Sequence, residues 1–220
     1  MADCCHVPRG YEKLFGEKTA RREARRYRRK GLGDNEERIV EFLRSRSLEG
    51  TSVLEIGGGV GTLQVELLKA GAERAVNVEL SPYWEEEARG LVREAGLEDR
   101  WEYRVDNVAA DGQEVGPADA VIMHRVVCCD PDPDALVGAA AERARRYLVL
   151  TFPRERVASR LFVGLINFVA RVLRWEHRSY VHPVAEILAA AERPGLRLAQ
   201  EHRGFIWQFA ALERRPARPS

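Results

Sequence analysis

The sequence predicts an α/β fold in which helices cover both faces of a parallel sheet. From residue 51 onwards, short apolar runs alternate with amphipathic stretches, which is typical of strands and helices in regular succession. A glycine-rich segment follows the first apolar run directly. Ser81-Pro82 marks a helix start, because serine caps helices and proline favours the first helical position. We therefore expect a wound sheet with one ligand-binding edge.

The elements are predicted in order along the chain. Strands are expected at 51–56, 75–80, 101–106, 118–123 and 146–152, with helices at 60–71, 82–96 and 133–145. Two helices precede them, over 10–31 and from a cap at Asp34 to about Leu48. A long apolar helix over 157–175, a helix over 183–193 and strands at 196–203 and 205–212 follow, with a turn at Gly204. This order predicts a basic helical cap over 1–33 and a single domain over 34–220.

The numbers of charged residues limit the kinds of partner that the chain is expected to bind. The chain has 35 Lys and Arg against 34 Asp and Glu, a net charge of +1, which argues against a surface built for nucleic acid. Residues 1–33 alone hold ten basic residues against four acids, and the simplest interpretation is the exposed face of a terminal helix. No export signal or membrane-spanning run is apparent, so the expected location is the cytoplasm.

The glycine-rich segment is the first candidate site. Gly57, Gly58, Gly59 and Gly61 follow the predicted strand at once, and such a turn lets the backbone pass close to a nucleotide-like ligand. The spacing is not that of a dinucleotide fingerprint, because Thr62 stands where the third glycine counted from Gly57 would fall. No Gly-Lys-Ser/Thr follows, which excludes a phosphate-binding P-loop.

Acidic and amide side chains stand near the ends of the neighbouring predicted strands. Glu79 ends the second strand, where a carboxylate can accept hydrogen bonds from both hydroxyls of a ribose. Asp106 ends the third strand and is placed to accept from the amine of adenine, while the Asn107 side chain or its backbone contacts a ring nitrogen. Glu55, two residues before Gly57, can balance a cationic amino-acid group.

Together, Glu-x-Gly-x-Gly-x-Gly and the acids ending strands two and three resemble the class I methyltransferases over roughly residues 35–212. The resemblance implies a Rossmann-like, mostly parallel sheet of seven strands, with the last one antiparallel. We also expect the amino-terminal helices to form a lid over the site. The same resemblance implies S-adenosylmethionine across the carboxyl ends of the first two strands. The expected contacts are Glu55, Gly57, Gly58, Gly59, Gly61, Glu79, Asp106 and Asn107.

The carboxyl-terminal part is similar, more loosely, to magnesium-protoporphyrin O-methyltransferases. The shared features are Thr151-Phe-Pro-Arg154, the long apolar helix, His182-Pro183 and Gly204-Phe-x-x-Gln208. In that family the helix and the last hairpin help to shape the substrate side. Here the apolar face of 157–175 has two interpretations: it packs on the sheet, or it contacts a large flat ligand or a membrane surface. The chain departs from the family at Met123–Asp130, so the substrate stays open.

Catalytic candidates lie at the end of the fourth strand, which borders the methyl group in this fold. His124 is a candidate base for a hydroxyl acceptor, since a neutral imidazole can take a proton near neutral pH. Arg125 is a candidate for orienting an anionic substrate. Methyl transfer needs in-line approach and desolvation more than acid–base help, and a carboxylate acceptor needs no base.

The cysteines form two adjacent pairs, Cys4-Cys5 and Cys128-Cys129, which suits neither a disulfide framework nor standard zinc spacing. Reduced thiols without metal are therefore expected. The alternative is a four-thiolate cluster for a soft metal, if the amino-terminal helix brings the pairs together.

Transfer of a methyl group to a hydrophobic small molecule, with oxygen favoured as acceptor, is the leading hypothesis. The alternatives are a catalytically idle S-adenosylmethionine-binding partner subunit, methylation of a thiol-bound metalloid and methylation of RNA. Oligomeric state stays open.

Overall fold

The computed structural model describes residues 11–109 and 115–214. Its strands are β1 (Ser52–Ile56), β2 (Arg74–Glu79), β3 (Trp101–Val105), β4 (Ala118–His124), β5 (Ala144–Pro153), β6 (Leu196–Arg203) and β7 (Trp207–Arg214). Its α-helices are α1 (Tyr11–Phe15), α2 (Glu17–Lys30), α3 (Asp34–Arg44), α4 (Thr62–Lys69), α5 (Glu85–Glu94), α6 (Pro133–Arg143), α7 (Val157–Val172) and α8 (Val184–Glu192).

The seven strands form one sheet in the order β3-β2-β1-β4-β5-β7-β6. Strand β7 runs antiparallel to both of its neighbours, and the pairs from β3 to β5 are parallel. The chain leaves β1 towards β2 on one side and later returns to β4 on the other, so the strand order reverses at β1. A crevice at the carboxyl ends of the strands forms at such a reversal. The predicted fold is confirmed, including the antiparallel last strand.

Each face of the sheet is covered by its own set of helices. On one face, α3, α4 and α5 contribute Ile39, Leu63 and Leu91 to a buried cluster. On the other, α6 and α8 contribute Val137 and Ala190. Alternate residues of the central strands point into the two clusters, as the pleat requires. This double burial explains why the central strands read as continuous apolar runs.

The boundaries of the first helices differ from the prediction. Gly33, not Asp34, is the cap of α3, because the Glu36 carboxylate in the first turn accepts a hydrogen bond from the Gly33 N–H at 2.7 Å. The helix ends at Arg44 rather than Leu48. The stretch predicted as one helix over 10–31 is divided at Gly16 into α1 and α2.

Smaller differences occur elsewhere. The helix after Ser81-Pro82 begins with a 3₁₀ turn over Pro82–Trp84 before α5. Strand β7 begins at Trp207, two residues later than predicted, after a turn in which the Gly204 N–H donates to the Trp207 carbonyl at 2.9 Å. Within the described ranges, no helix is long and apolar enough to cross a membrane.

Candidate functional site

One cavity of about 620 Å³ follows the carboxyl ends of the strands. Its lining runs from Asp106, after β3, past the loop after β1 to His124 at the end of β4, and on to Trp207 at the start of β7. Residues of α1 and α2, among them Phe15 and Arg26, line it as well. The volume lies within the range of small-molecule sites.

The glycine loop forms the floor of the cavity. The backbone φ angles of Gly57, Gly59 and Gly61 lie between 54° and 73°, a conformation that residues other than glycine rarely adopt. A Cβ on Gly57 would lie 2.3 Å from Val126 Cγ2. Gly58 has a different constraint, since its Cβ would lie 2.5 Å from Gln64 Nε2 and 2.6 Å from Asn77 Oδ1. The loop therefore excludes side chains at Gly58 because of protein packing beneath it.

Glu79 braces the loop from the end of β2. Its Oε1 accepts a hydrogen bond from the Gly59 N–H at 2.7 Å, and Oε2 accepts one from the Leu80 N–H at 3.2 Å. The residue is buried, and burial outweighs these two bonds and raises the pKa of the carboxyl to about 7. Each oxygen keeps acceptor capacity for a further donor, such as a sugar hydroxyl.

The pKa of Glu79 makes ligand binding sensitive to pH. A group that must be ionised to accept from two hydroxyls binds more weakly as pH falls through its pKa. We expect S-adenosylmethionine to bind about tenfold more weakly at about pH 5.5 than at about pH 7, measured by calorimetry. His124, with a pKa of about 4, stays neutral in this window, whereas release of the Glu55 proton on binding, from a pKa of about 8, weakens affinity in the same direction as pH falls. Glu79→Gln should therefore make the dependence shallower, and an unchanged slope in that variant would contradict the assignment.

Glu55 lies beneath the loop, almost fully buried, and accepts a hydrogen bond from Gln64 Nε2 at 2.9 Å. Burial raises the pKa of its carboxyl to about 8 despite that bond, and the charges of Glu36 and Glu79 raise the pKa further. At neutral pH the carboxyl is therefore mostly protonated. The expected role in balancing a cation requires the proton to leave when the cation arrives, because a nearby positive charge lowers the pKa.

Asp106 and Asn107 continue from β3 into the cavity wall. The Asp106 N–H donates to the Glu79 carbonyl at 2.9 Å, which aligns this segment with the end of β2. Asp106 Oδ1 accepts from the Asn107 N–H at 2.8 Å, and Asn107 Oδ1 accepts from the Ala109 N–H at 3.1 Å. The structure thus brings both predicted residues to the same cavity as Glu79 and the glycine loop.

His124 ends β4, and its Nδ1 lies 2.9 Å from Thr151 Oγ1. Burial and the neighbouring Arg125 charge lower the pKa of the imidazole to about 4, although the Glu36 charge opposes the shift. The ring is therefore neutral at physiological pH. Arg125 has φ of 61°, and its guanidinium carbon lies 4.9 Å from the centroid of the Trp207 ring. Both catalytic candidates line the cavity.

Arg26 and Glu36, from the amino-terminal helices, line the cavity, although the sequence did not predict them as site residues. Glu36 accepts hydrogen bonds from Arg26 Nη2 at 3.1 Å and from Thr62 Oγ1 at 3.1 Å, which ties α2 and α3 to the start of α4. Burial alone would raise the Glu36 pKa, but the Gly33 N–H and the charges of His124 and Arg26 lower it overall. The Gly33 to Glu36 spacing of a capping box was the available signal for Glu36.

Trp84 is a third residue that the sequence interpretation missed. Its ring carbons lie 3.6 Å from the position of a Cβ on Gly59, so the indole flanks the glycine loop. The side chain is buried, and its Nε1 has no hydrogen-bond partner among the described residues. Trp84 therefore contributes ring carbons to the wall beside the loop, while its Nε1 is buried away from the cavity.

Cys128 and Cys129 also line the cavity, within a short turn after β4. Their Sγ atoms are 3.9 Å apart, and both cysteines are free thiols. Cys4 and Cys5 lie outside the described residues, so the four-thiolate hypothesis stays a prediction. In the described part of the chain, no group of three or more His, Cys, Asp or Glu side chains has the arrangement of a metal site.

The curated proteins similar to this chain include an O-methyltransferase. No protein-family model matches the chain. The ubiquinone biosynthesis O-methyltransferase of Xylella fastidiosa (strain M23) is 29% identical over 167 residues, which cover 72% of this chain and 66% of that protein. The chain thus spans just under two thirds of the length of this curated relative.

Solved structures with a similar fold include methyltransferases. Magnesium protoporphyrin IX methyltransferase from Synechocystis PCC 6803, with bound S-adenosylhomocysteine, superposes with a TM-score of 0.71 at 22% identity, covering 93% of this chain and 97% of that one. An O-methyltransferase family protein from Burkholderia thailandensis gives 0.67 at 16% identity, covering 93% and 64%. The fold of the chain is that of the class I S-adenosylmethionine-dependent methyltransferases, as the resemblance of its motifs implied.

Proposed function

We propose that the protein transfers a methyl group from S-adenosylmethionine to an oxygen atom of a hydrophobic small molecule. One observation carries the proposal. The glycine loop with its acidic partners and an apolar wall formed by Phe162, Val163 and Ile166 line the same cavity. A donor bound at the first wall and an acceptor at the second would share one water-poor space, which favours methyl transfer.

The donor end is formed by the first three strands. Glu79 would accept hydrogen bonds from the ribose hydroxyls, and the Asp106 carboxylate would accept from the adenine amine. The Trp84 ring, which lines the cavity beside Gly59, would pack against the adenosyl group. S-adenosylmethionine, when bound, supplies an electrophilic methyl group. The chain's own task at this end is to hold that group still and to exclude water.

The acceptor end favours substrates that lose their proton readily. With a pKa of about 4, His124 is a weak base at neutral pH, well below the pKa near the working pH that suits a general base. Its neutral ring is instead suited to accept a hydrogen bond and orient the acceptor. The exposed guanidinium of Arg125, held beside the Trp207 ring, suits an anionic group. An acidic phenol or a carboxylate on an apolar frame fits this wall.

His124→Gln tests the role of the imidazole. Glutamine can still accept a hydrogen bond but cannot take a proton, so we expect the kcat for methyl transfer to fall by less than about tenfold, with unchanged affinity for S-adenosylmethionine. Removal of a general base costs about 10²- to 10⁴-fold. A loss of that size in kcat, measured with saturating donor, would show that His124 is a base after all.

The proposed function is tested by tritium-methyl transfer from S-adenosylmethionine to a panel of hydrophobic phenols and carboxylic acids, with arsenite as an arm for the thiol-bound metalloid hypothesis. We expect labelled ester or ether products with the acidic organic acceptors. Binding of the donor without transfer to any acceptor would favour the idle partner subunit.

Ion pairs formed by the basic side chains of α2 disfavour RNA as a substrate. Several cationic side chains of α2 are already engaged: Arg21 pairs with Glu17 at 3.1 Å, and Arg28 Nη2 lies 2.6 Å from Glu94 Oε1. These contacts tie α2 to itself and to α5. An RNA oligonucleotide included in the transfer assay should therefore stay unlabelled.

A further inference from the structure

Helix α7 exposes most of its apolar side chains. Five apolar residues of this helix have side chains that are between 62% and 72% exposed: Val157, Leu161, Leu165, Phe168 and Val172. These positions recur every three or four residues and therefore form one stripe along the helix. Monomeric proteins rarely leave a contiguous apolar surface of this kind uncovered, and such surfaces mark sites of interaction.

The stripe is separate from the side of α7 that packs on the protein. Only Ser159, Val163 and Ala170 are buried along the helix. Ser159 Oγ donates to the Ile206 carbonyl at 3.1 Å, and Asn167 exchanges two hydrogen bonds of 2.8 Å with the Ser179 backbone. These contacts fix the rotation of the helix. The interpretation that its apolar face simply packs on the sheet is therefore wrong for the stripe.

One flank of the stripe is cationic. Residues 156–175 contain four arginines and no acidic residue. At about 100° per residue, Arg160 and Arg171 fall on the same side of the helix, and Arg156 and Arg174 flank its two ends. Arg160 pairs with Glu155 at 3.3 Å, while Arg171 and Arg174 form no ion pair with any described residue. The flank thus offers uncompensated positive charge beside apolar side chains.

The apolar surface extends beyond the helix to the turn between β6 and β7. Phe205 is 71% exposed there, and the Arg156 guanidinium lies 5.7 Å from its ring centroid. On its other side, α7 contributes Phe162, Val163 and Ile166 to the cavity wall. The exposed apolar surface and the cavity are therefore adjacent along one helix.

We propose that α7 and Phe205 form a docking surface for an anionic lipid bilayer. Helix α7 lies in the plane of the interface, with its apolar stripe below the headgroups and its arginines among the phosphates. A second copy of the chain is a poorer occupant, because a two-fold pair places the same cationic flanks close together. The proposal goes beyond methyl transfer, and the docking itself does not depend on it.

Flotation with vesicles tests the proposal. The full chain is mixed with vesicles of phosphatidylcholine alone or with about 30% phosphatidylglycerol. We expect binding to the anionic vesicles only. Arg171→Gln with Arg174→Gln should weaken binding about 30-fold, since each cation near the surface strengthens it about fivefold. Leu165→Ser with Phe168→Ser should weaken it by more than about tenfold.

Matched variants control for nonspecific effects. Arg25→Gln with Arg29→Gln removes the same charge from α2, and Leu198→Ser alters an exposed leucine on β6. Both should bind as wild type does. Binding that is lost equally in these controls, or no binding to anionic vesicles by protein that retains its thermal transition, would overturn the proposal. So would a dimer in sedimentation that the Leu165→Ser and Phe168→Ser changes dissociate, because the stripe would then be a protein interface.

Discussion

Replacement of Gly57 by alanine is expected to reduce affinity for S-adenosylmethionine by at least about 30-fold, with a lower melting temperature. Two costs add at this position. The φ of 69° strains an alanine backbone by about 1 to 2 kcal/mol. The new Cβ would also lie 2.3 Å from Val126 Cγ2, and relief of such an overlap typically costs about 1 to 3 kcal/mol. Either the loop or the segment after β4 must move, and both line the cavity.

Gly50→Ala is the matched control for this prediction. Gly50 has nearly the same φ, 67°, but a Cβ there meets nothing within 4 Å. We expect this variant to lose only the backbone part of the stability and to bind S-adenosylmethionine as wild type does. Calorimetric titration and thermal unfolding of the two variants separate backbone strain from steric overlap. Wild-type affinity in Gly57→Ala would contradict the proposed path of the loop around its ligand.

Glu79→Ala is the second substitution with a large expected effect. It removes the proposed acceptor for two ribose hydroxyls and leaves the Gly59 and Leu80 N–H groups without their carboxylate partner. We expect affinity for S-adenosylmethionine to fall by about 1.5 to 3 kcal/mol, or roughly 10- to 150-fold. Glu79→Gln retains one carbonyl acceptor and should lose less.

Glu102→Ala serves as the comparison for Glu79, because Glu102 is an exposed acid on the neighbouring strand β3, where its carboxylate pairs with Arg104 at 2.6 Å. Its removal should leave the affinity within about twofold of wild type. Equal affinities of the Glu79 and Glu102 variants, measured by equilibrium titration, would exclude ribose recognition by Glu79.

The donor half of the cavity was largely predictable because its signals are local. Glycines that need positive φ follow a strand directly, and Glu79 and Asp106 stand at or just beyond strand ends that can be read from apolar runs. Parallel strands then bring their carboxyl ends to one edge whatever the rest of the chain does. The spacing of these residues along the sequence was therefore enough to predict most of the geometry of this part of the cavity.

The residues that were missed depend on contacts between distant segments. Glu36 reaches the cavity only because α3 packs beside α4, and its bond to Thr62 joins positions 26 residues apart. In the sequence, Trp84 is one more apolar residue after Ser81-Pro82. Its position beside the glycine loop follows only from the packing of its ring against Gly59. Helical periodicity marks a stripe but does not determine which stripe is buried, as α7 illustrates.

The protonation states of Glu55 and His124 could not be predicted from the sequence either. The sequence suggested an ionised Glu55 and a basic His124, whereas burial shifts the pKa of the first to about 8 and of the second to about 4. Both shifts arise from desolvation inside a folded cavity, which composition does not reveal.

Calorimetric titration of the wild-type chain with S-adenosylmethionine and S-adenosylhomocysteine tests the central claim most directly. A cavity built by the glycine loop, Glu79 and Trp84 should bind one molecule of either compound per chain, and the same site should lose both in Gly57→Ala. Absence of binding by folded protein, or binding that Gly57→Ala and Glu79→Ala leave unchanged, would contradict it.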